Sequence, residues 1–426
     1  MNALMKLLIL APCCFFFIAL IKLLYDYLWI PLRIQHMLNS QGIKGPPYRF
    51  IHGNNKEVTK MKQKALSKSV GLTEDLFPKV HPHIYTWTNR YGKNFVYWNG
   101  ARPELVISEP ELVKEVLKNS EQIFQKKKLS DIGRKFLGNG LIFIEGGKWA
   151  KHRKLANHTF HGESLKNMTP AIIASVETML EKWKGQEGKE IEVYQEFRLL
   201  TSEVISRTAF GSNYMEGEKI FAILSKLAVI MSRNVSTTRI PLIKIKDRVM
   251  KIVKKREDKV VNGEVNSFRS DFLGLLLNAY HDSEAKNRIS LEDVVAECKT
   301  FYFAGQETVN SLLAWIVLRI WQSMEIGKKK REERWLTYLM TMIINETLRL
   351  YGPTSVLQRT VAREIQLGKL LLPANIDILP LNIGLHRDPH FWGNDVHHFK
   401  PERFAEGIAK ATNYTAAAFF PFGLGP

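Results

Sequence analysis

Cysteine is scarce in this chain: Cys13, Cys14 and Cys298 are the only three among 426 residues. Two of them are adjacent in an apolar N-terminal run and the third lies far away, so no disulfide framework can form. This scarcity fits a reducing compartment. Internal repeats and low-complexity segments are also absent, and with 45% hydrophobic and 24% charged residues the composition is that of a globular protein.

A recognisable nucleic-acid-binding module is absent too, although the formal net charge is +19. The basic residues form short scattered runs, at 126–128, 254–256 and 328–331. Such runs are usually solvated faces, so we predict no nucleic-acid partner. An anionic membrane surface or an acidic protein is the better match for this charge.

The N-terminus predicts a membrane anchor over residues 1–30. Residues 7–21 carry no charge, and beyond Lys22 the apolar run reaches the ~20 residues of a spanning helix. A cleaved signal peptide is the alternative, but no small-x-small cleavage site follows, and the aromatic residues between 25 and 29 are typical of a membrane interface. The basic residues after the anchor predict a cytosolic body. Residues 31–50 are predicted to form a basic, proline-containing hinge.

The pattern of residues 51–426 predicts one domain, mainly α with small β-sheets. Two β-rich runs meet at Asn99-Gly100, a strong hairpin signal. Pro110 is predicted to open a helix, and a second helix is predicted to begin at Thr169-Pro170 and to end at Gly185.

The longest helix is predicted to begin near Ser290, with Asp293 completing a near capping box. It is apolar on most sides and has no proline, so we expect a buried central helix. After Tyr351, prolines and short β-like runs at 370–372 and 377–379 predict loops with a small sheet.

The middle of that helix reads FAGQET, from Phe303 to Thr308. Ala304 and Gly305 leave a strip of bare backbone, and Glu307 places an acid beside the Thr308 hydroxyl. A helix-packing glycine, with Thr308 bonded to a backbone carbonyl of its own helix, explains the same letters without any chemistry. Both interpretations stay open at this point.

Three further patterns contain an arginine, and the first two follow helical spacing. Trp149 and Arg153 lie four residues apart, where an indole and a guanidinium could together hold a carboxylate or phosphate. Glu346 and Arg349 are spaced for an ion pair, and Arg403 follows in PERF. Each pattern alone is weak, and a solvated amphipathic helix explains the first equally well.

Taken in order, W-x-x-x-R, A-G-x-E-T, E-x-x-R, P-E-R-F and F-x-x-G behind an anchor and a proline hinge resemble a microsomal cytochrome P-450. The resemblance covers nearly the whole chain. Between Leu273 and Phe404 it is closest to the plant clan of secologanin synthase, cytokinin trans-hydroxylase and brassinosteroid 26-hydroxylase. It implies the cytochrome P-450 fold, incomplete at the C-terminus.

The resemblance also implies roles for single residues. Ala304 and Gly305 would let the helix pass flat against haem b, and Thr308 with Glu307 would deliver protons to bound dioxygen. Trp149, Arg153 and Arg359 would bind the haem propionates. Glu346, Arg349 and Arg403 would form a structural ion triad.

The terminal PFGLGP resembles the start of the haem-binding loop, F-x-x-G-x-R-x-C, with Phe422 and Gly425 in their places. By that pattern the axial cysteine would lie beyond Pro426, so no metal ligand is predicted within the chain. Cys298, on the long helix, is more simply interpreted as a small buried hydrophobe. Shortened segments after Thr308 and around residues 239–255 suggest a truncated or mis-spliced product.

The leading functional hypothesis is a haem-thiolate monooxygenase that hydroxylates a small lipophilic plant metabolite or hormone with dioxygen. Electrons would come from NADPH through a cytochrome P-450 reductase. A basic cluster would dock that reductase (Lys148, Lys151, Arg153 and Lys154). The expected location is the endoplasmic reticulum membrane, with the body in the cytosol. The alternative is a membrane-anchored, haem-less remnant without catalysis.

Overall fold

The structure is a computed structural model. It describes the chain except residues 1–2, 70, 72–74, 119–122, 129–133, 135–137, 233–242, 266, 269, 323–332, 355 and 425–426. Its contacts divide it into two compact units. The sheet unit comprises Met1–Lys127 and Arg331–Pro426, and the helical unit comprises Lys128–Lys330.

Helices dominate the described residues. In chain order we number them α1 (Ala3–Leu24), α2 (Ile30–Ser40), α3 (Asn55–Leu66), α4 (Phe77–Val80), α5 (Pro82–Tyr91), α6 (Pro110–Lys118), α7 (Gly146–Thr159), α8 (Gly162–Lys184), α9 (Val193–Phe210), α10 (Tyr214–Ser232), α11 (Ile243–Val261), α12 (Phe272–Tyr280), α13 (Leu291–Gln322), α14 (Glu333–Tyr351), α15 (Asn382–Leu385), α16 (Pro389–Trp392) and α17 (Gly407–Ala411). Short 3₁₀ turns cover Pro401–Phe404 and Ala416–Ala418.

Two small sheets lie in the sheet unit. Their strands are β1 (Phe95–Asn99), β2 (Arg102–Ile107), β3 (Phe124–Lys126), β4 (Arg359–Val361), β5 (Ile365–Leu367), β6 (Leu370–Leu372) and β7 (Asp377–Pro380). The larger sheet has the order β1-β2-β7-β4-β3, and β5 pairs with β6 alone. The predicted hairpin is confirmed: β1 and β2 are antiparallel, Asn99 pairs with Arg102, and Gly100 takes the left-handed φ of +61° that such a turn needs. The prediction of a mainly helical fold with small sheets is also confirmed.

The N-terminal helix continues further than its apolar run. A π-helical turn, Tyr25–Trp29, joins α1 to α2. The stretch Cys13–Ser40 is long and apolar enough to cross a membrane by length and composition. Leu38 at its far end is buried in the core of the sheet unit. Part of the predicted hinge is therefore helical and packed.

The start of α8 was predicted wrongly. Proline at N1 is a common helix start, yet α8 begins at Gly162 and carries Pro170 in its interior. The cost of the missing N–H, ~3 kcal/mol, is outweighed by the packing of a 23-residue helix whose C-terminal turn contacts α9 through Trp183 and Phe197. The predicted end at Gly185 is confirmed.

Helix α13 begins as predicted. The Asp293 N–H donates to the Ser290 hydroxyl at 3.1 Å, and the Ser290 N–H donates back to the Asp293 carboxylate at 3.1 Å. The prediction that the whole helix is buried is wrong. Its first half belongs to the core of the helical unit through Val294 and Tyr302, whereas Trp321 near its end is 63% exposed.

In the sheet unit, His386 positions the last turn of the chain. The Phe420 N–H donates to Nε2 of this ring at 3.2 Å, so Nε2 must be unprotonated. Phe419 packs against the same imidazole and against Trp392. Burial, together with the charges of Arg387 and Arg349, lowers the pKa of His386 from 6.5 to about 3.

We predict that acid weakens the fold partly through His386. Between pH 6.5 and about 3 the unfolded chain binds a proton that the folded chain cannot accept. The stability from this group, complete above pH 6.5, is therefore lost as the pH falls, by about 2 kcal/mol at pH 5. In urea unfolding, His386→Phe will show a smaller drop from neutral pH to pH ~5. His397→Phe, at an exposed histidine, will keep the full drop, and equal drops in both variants would contradict the assignment.

Candidate active site

The residues predicted to activate dioxygen lie on one face of α13. Ala304, Thr308 and Leu312 recur every four residues and are all half-buried. The Thr308 hydroxyl donates to the Ala304 carbonyl at 2.6 Å, within the helix. Because that bond uses its only proton, the hydroxyl oxygen is left as an acceptor. The face thus combines a methyl group, a hydroxyl and an aliphatic side chain.

Glu307 is held by a neighbouring helix. Ser225 of α10 donates its hydroxyl proton to Oε1 of Glu307 at 3.0 Å. The carboxylate is half-buried, so it is neither in the core nor freely solvated. The other carboxylate oxygen remains available for a water or a further proton donor. Ser225 was not anticipated, because it lies 82 residues away in sequence.

Gly305 packs against α9. A Cβ built on it would lie 2.7 Å from Cδ1 and 2.8 Å from Cγ1 of Ile205. The next residue, Gln306, donates to the Ser202 hydroxyl at 2.9 Å. The packing interpretation of the glycine and the carbonyl bond of Thr308 are thus both present in the structure. Its predicted role beside a haem stays a prediction.

Trp149 and Arg153 are presented by α7, in the helical unit. Trp149 is half-buried and packs against the core of that unit, and Arg153 is exposed. Between them, His152 turns inward: its Nδ1 lies 2.6 Å from Oε1 of Glu297 on α13, and both side chains are 1% exposed. This buried contact fixes α7 against α13. Sequence spacing gave no signal of it, because the partners are 145 residues apart.

The sheet unit holds Arg359 and the terminal turn. Arg359 is half-buried on β4, where it lies opposite Lys126 of β3 in the antiparallel register. Phe422 is 76% exposed, whereas Phe420 two residues earlier is buried. Gly425 lies outside the described residues.

The structure brings Glu346, Arg349 and Arg403 together in the sheet unit. Nε and one Nη of Arg349 donate to the two oxygens of Glu346, each at 2.8 Å, and both side chains are fully buried. Nε of Arg403 lies 3.7 Å from the same carboxylate. Arg403 donates a hydrogen bond from an Nη to the Asp395 carboxylate at 2.9 Å. Such a bidentate pair, with its remaining donors satisfied, is the favourable geometry for buried charge.

The cysteines do not supply a thiolate in the part of the chain that the structure describes. Cys298 is buried in α13, and that burial, with the nearby Glu297 carboxylate, holds the pKa of its thiol well above the usual range. Cys13 and Cys14 lie in the N-terminal apolar helix. The half-buried α13 face with Ala304 and Thr308 leaves room for a flat cofactor, and the described cysteines offer such a cofactor no thiolate ligand.

Removing the Glu346 charge will destabilise the fold strongly. Glu346→Gln leaves the buried Arg349 guanidinium uncompensated, which costs about 3–5 kcal/mol of unfolding free energy. Glu181→Gln is the matched control, because Glu181 and Lys184 form an exposed pair at the same spacing, and it will cost less than about 1 kcal/mol. Equal losses in chemical denaturation would show that burial does not set the cost.

The contact between Gly305 and Ile205 predicts a coupled pair of substitutions. Gly305→Ala will lower the unfolding free energy by about 1–3 kcal/mol, since the new methyl group overpacks the helix contact. In an Ile205→Ala background the same change will cost less or become stabilising, because alanine is the better helix former by ~1 kcal/mol. A double-mutant cycle measures the coupling. Additive effects would mean that the glycine is not required by this contact.

A family model described as cytochrome P-450 matches residues 75–256 and 242–426. Among curated relatives, cytochrome P-450 CYP749A22 of Panax ginseng is 46% identical, over 97% of this chain and 85% of the relative. The 11-oxo-beta-amyrin 30-oxidase of Glycyrrhiza uralensis is 39% identical, over 94% of this chain and 84% of the relative. The 7-deoxyloganic acid hydroxylase of Catharanthus roseus is 36% identical, over 94% and 85%.

These matches confirm the resemblance drawn from the motifs, including its placement among plant proteins. Members of this family are haem-dependent monooxygenases, typically supplied with electrons from NADPH by a reductase. The chain belongs to the cytochrome P-450 family.

Proposed function

We propose that this protein is a membrane-anchored haem-dependent monooxygenase that hydroxylates an unactivated bond of a terpenoid-type lipophilic molecule. The observation that carries the proposal is the face of α13 on which Ala304 and Thr308 stand beside Glu307. Haem, when bound, would supply the activation of dioxygen, from which one oxygen atom is transferred to the substrate.

Each residue of this face has a task that its geometry supports. The methyl group of Ala304 leaves room for a flat macrocycle against the helix. Thr308, with its own proton bonded to the Ala304 carbonyl, accepts a hydrogen bond from an ordered water and so positions it. Glu307, fixed by Ser225, relays protons from solvent toward that water.

The haem propionates would accept hydrogen bonds from guanidinium and indole N–H groups. Trp149 and Arg153 on α7 offer N–H groups suited to carboxylates. For Arg359 on β4 the same role is proposed from the family motif alone. Arg153 is exposed, so its charge is available to such a ligand.

The substrate class rests on relatives named as oxidising 11-oxo-beta-amyrin and 7-deoxyloganic acid. Both are terpenoids, and their names place hydroxylation or oxidation on a preformed carbon skeleton. We extend that class, and not either compound, to this chain.

Partners and location follow from charge and hydropathy. Lys151, Arg153 and Lys154 make one turn of α7 basic, which suits an acidic reductase by electrostatic steering. Lys148 contributes less, because it pairs with Asp293. The apolar helix Cys13–Ser40 anchors the protein in the endoplasmic reticulum membrane, with the body in the cytosol.

Thr308→Val will separate electron consumption from product formation. In microsomes with reductase, NADPH and ¹⁸O₂, incorporation of ¹⁸O into a terpenoid substrate will fall about 100-fold, because the positioned water loses its acceptor, while NADPH consumption continues. Thr341→Val is the control, since this exposed threonine makes the same bond to the carbonyl four residues back. Its product yield will equal that of the natural chain.

A carbon monoxide difference spectrum accompanies each assay. A chain that binds haem and yet labels no terpenoid in a substrate panel would overturn the proposed substrate class. A chain that binds no haem would overturn the catalytic proposal itself.

A further inference from the structure

A cavity of about 320 Å³ opens in the helical unit, beside the first half of α13. Among the residues that the structure describes, its charged lining is predominantly basic, with four cationic and two acidic side chains (Arg134, Lys148, Lys246, Lys299, Glu292 and Asp293). Gly138 and Ala296 close one side, where a Cβ on the glycine would lie 2.9 Å from that of the alanine.

Asp293, one of the two acidic side chains, is already engaged. Asp293 accepts from Lys148 at 2.5 Å and from the Ser290 hydroxyl at 2.8 Å. Those bonds lower the pKa of Asp293, although burial opposes them, so it is ionised at neutral pH. Glu292 is mostly exposed and lies 3.9 Å from Lys246. Neither carboxylate is within salt-bridge distance of Lys299.

Lys299 is the unusual member of this lining. It is only 7% exposed, and its ammonium has no acceptor or carboxylate within bonding distance among the residues that the structure describes. Desolvation, followed by the charge of Lys246, lowers its pKa. Buried ammonium groups are normally paired because an isolated charge is costly to desolvate. Here the ammonium lines a basic cavity that is large enough for a ligand.

We propose that this cavity is a binding site for a small oxyanion, a carboxylate or a phosphate, with the Lys299 ammonium as its principal ligand. Lys246 contributes the second positive charge, since its contact with Glu292 is long and solvent-exposed. Two cations beside one open cavity, with Asp293 already bonded to Lys148, form an arrangement that recognises an oxyanion.

The proposed oxyanion site is separate from the face of α13 that carries Ala304 and Thr308. Nine residues separate Lys299 from Thr308, which is about 13.5 Å along the helix and half a turn around it. A ligand at Lys299 therefore lies on the opposite face of α13 from Thr308. The inference does not depend on haem or on catalysis.

The experiment is thermal and urea unfolding of the full chain in detergent, with sodium phosphate or sodium acetate titrated against chloride at constant ionic strength. The unfolding equilibrium constant of the natural chain will fall roughly 100-fold when the anion reaches 100 times its Kd. Lys299→Met, which keeps the length of the side chain and removes its charge, will lose this response. Without an oxyanion it will unfold at a higher temperature than the natural chain, because an unpaired buried charge is gone.

Two further variants complete the test. Lys299→Arg keeps the charge and will retain the response, and Lys251→Met, at an exposed lysine of α11 outside this lining, will respond like the natural chain. Stabilisation by both anions supports a general oxyanion site, and stabilisation by phosphate alone supports a phosphate site. An equal response in Lys299→Met, or a lower unfolding temperature of that variant without anion, would overturn the proposal.

Discussion

The buried pair of Glu346 and Arg349 is the interaction around which the sheet unit is organised. The carboxylate accepts two hydrogen bonds from the guanidinium and a third from the Lys400 N–H. The guanidinium also donates to the carbonyls of His386 and His398. One ion pair thus fixes the chain on both sides of α16. Because His386 in turn accepts the Phe420 N–H, the position of the last turn depends on charges buried far from it in sequence.

Helix α13 serves different partners on different sides, because successive residues are turned by about 100°. Gly305 and Gln306 face α9, Glu307 reaches α10, and Glu297 binds His152 of α7. What remains is the half-buried face with Ala304 and Thr308. A face left open in a predominantly apolar helix is where an apolar cofactor or substrate gains most from burial.

Local patterns predicted local structure well. The hairpin at Gly100 and the cap at Ser290 depend on residues two or three positions apart, so the sequence alone specified them. The start of α8 was predicted wrongly from Pro170, because the preference of proline for a helix start is weaker than tertiary packing. The family motifs indicated Thr308 and Glu346. The motifs could not show that Ile205 packs against Gly305 or that Ser225 donates a hydrogen bond to Glu307, since those contacts join helices distant in sequence.

The N-terminal helix has a mechanical consequence. From Ala3 to Ser40 it is continuous through a π-helical turn, and at 1.5 Å per residue it is about 57 Å long, against a bilayer interior of ~30 Å. Its last part, α2, packs on the sheet unit through the buried residues Pro31 and Leu38. A continuous helix that packs on the sheet unit fixes their relative orientation, which a flexible linker would not do. In the membrane-anchored protein proposed above, the tilt of this helix in the bilayer would therefore dictate which side of the sheet unit faces the membrane surface.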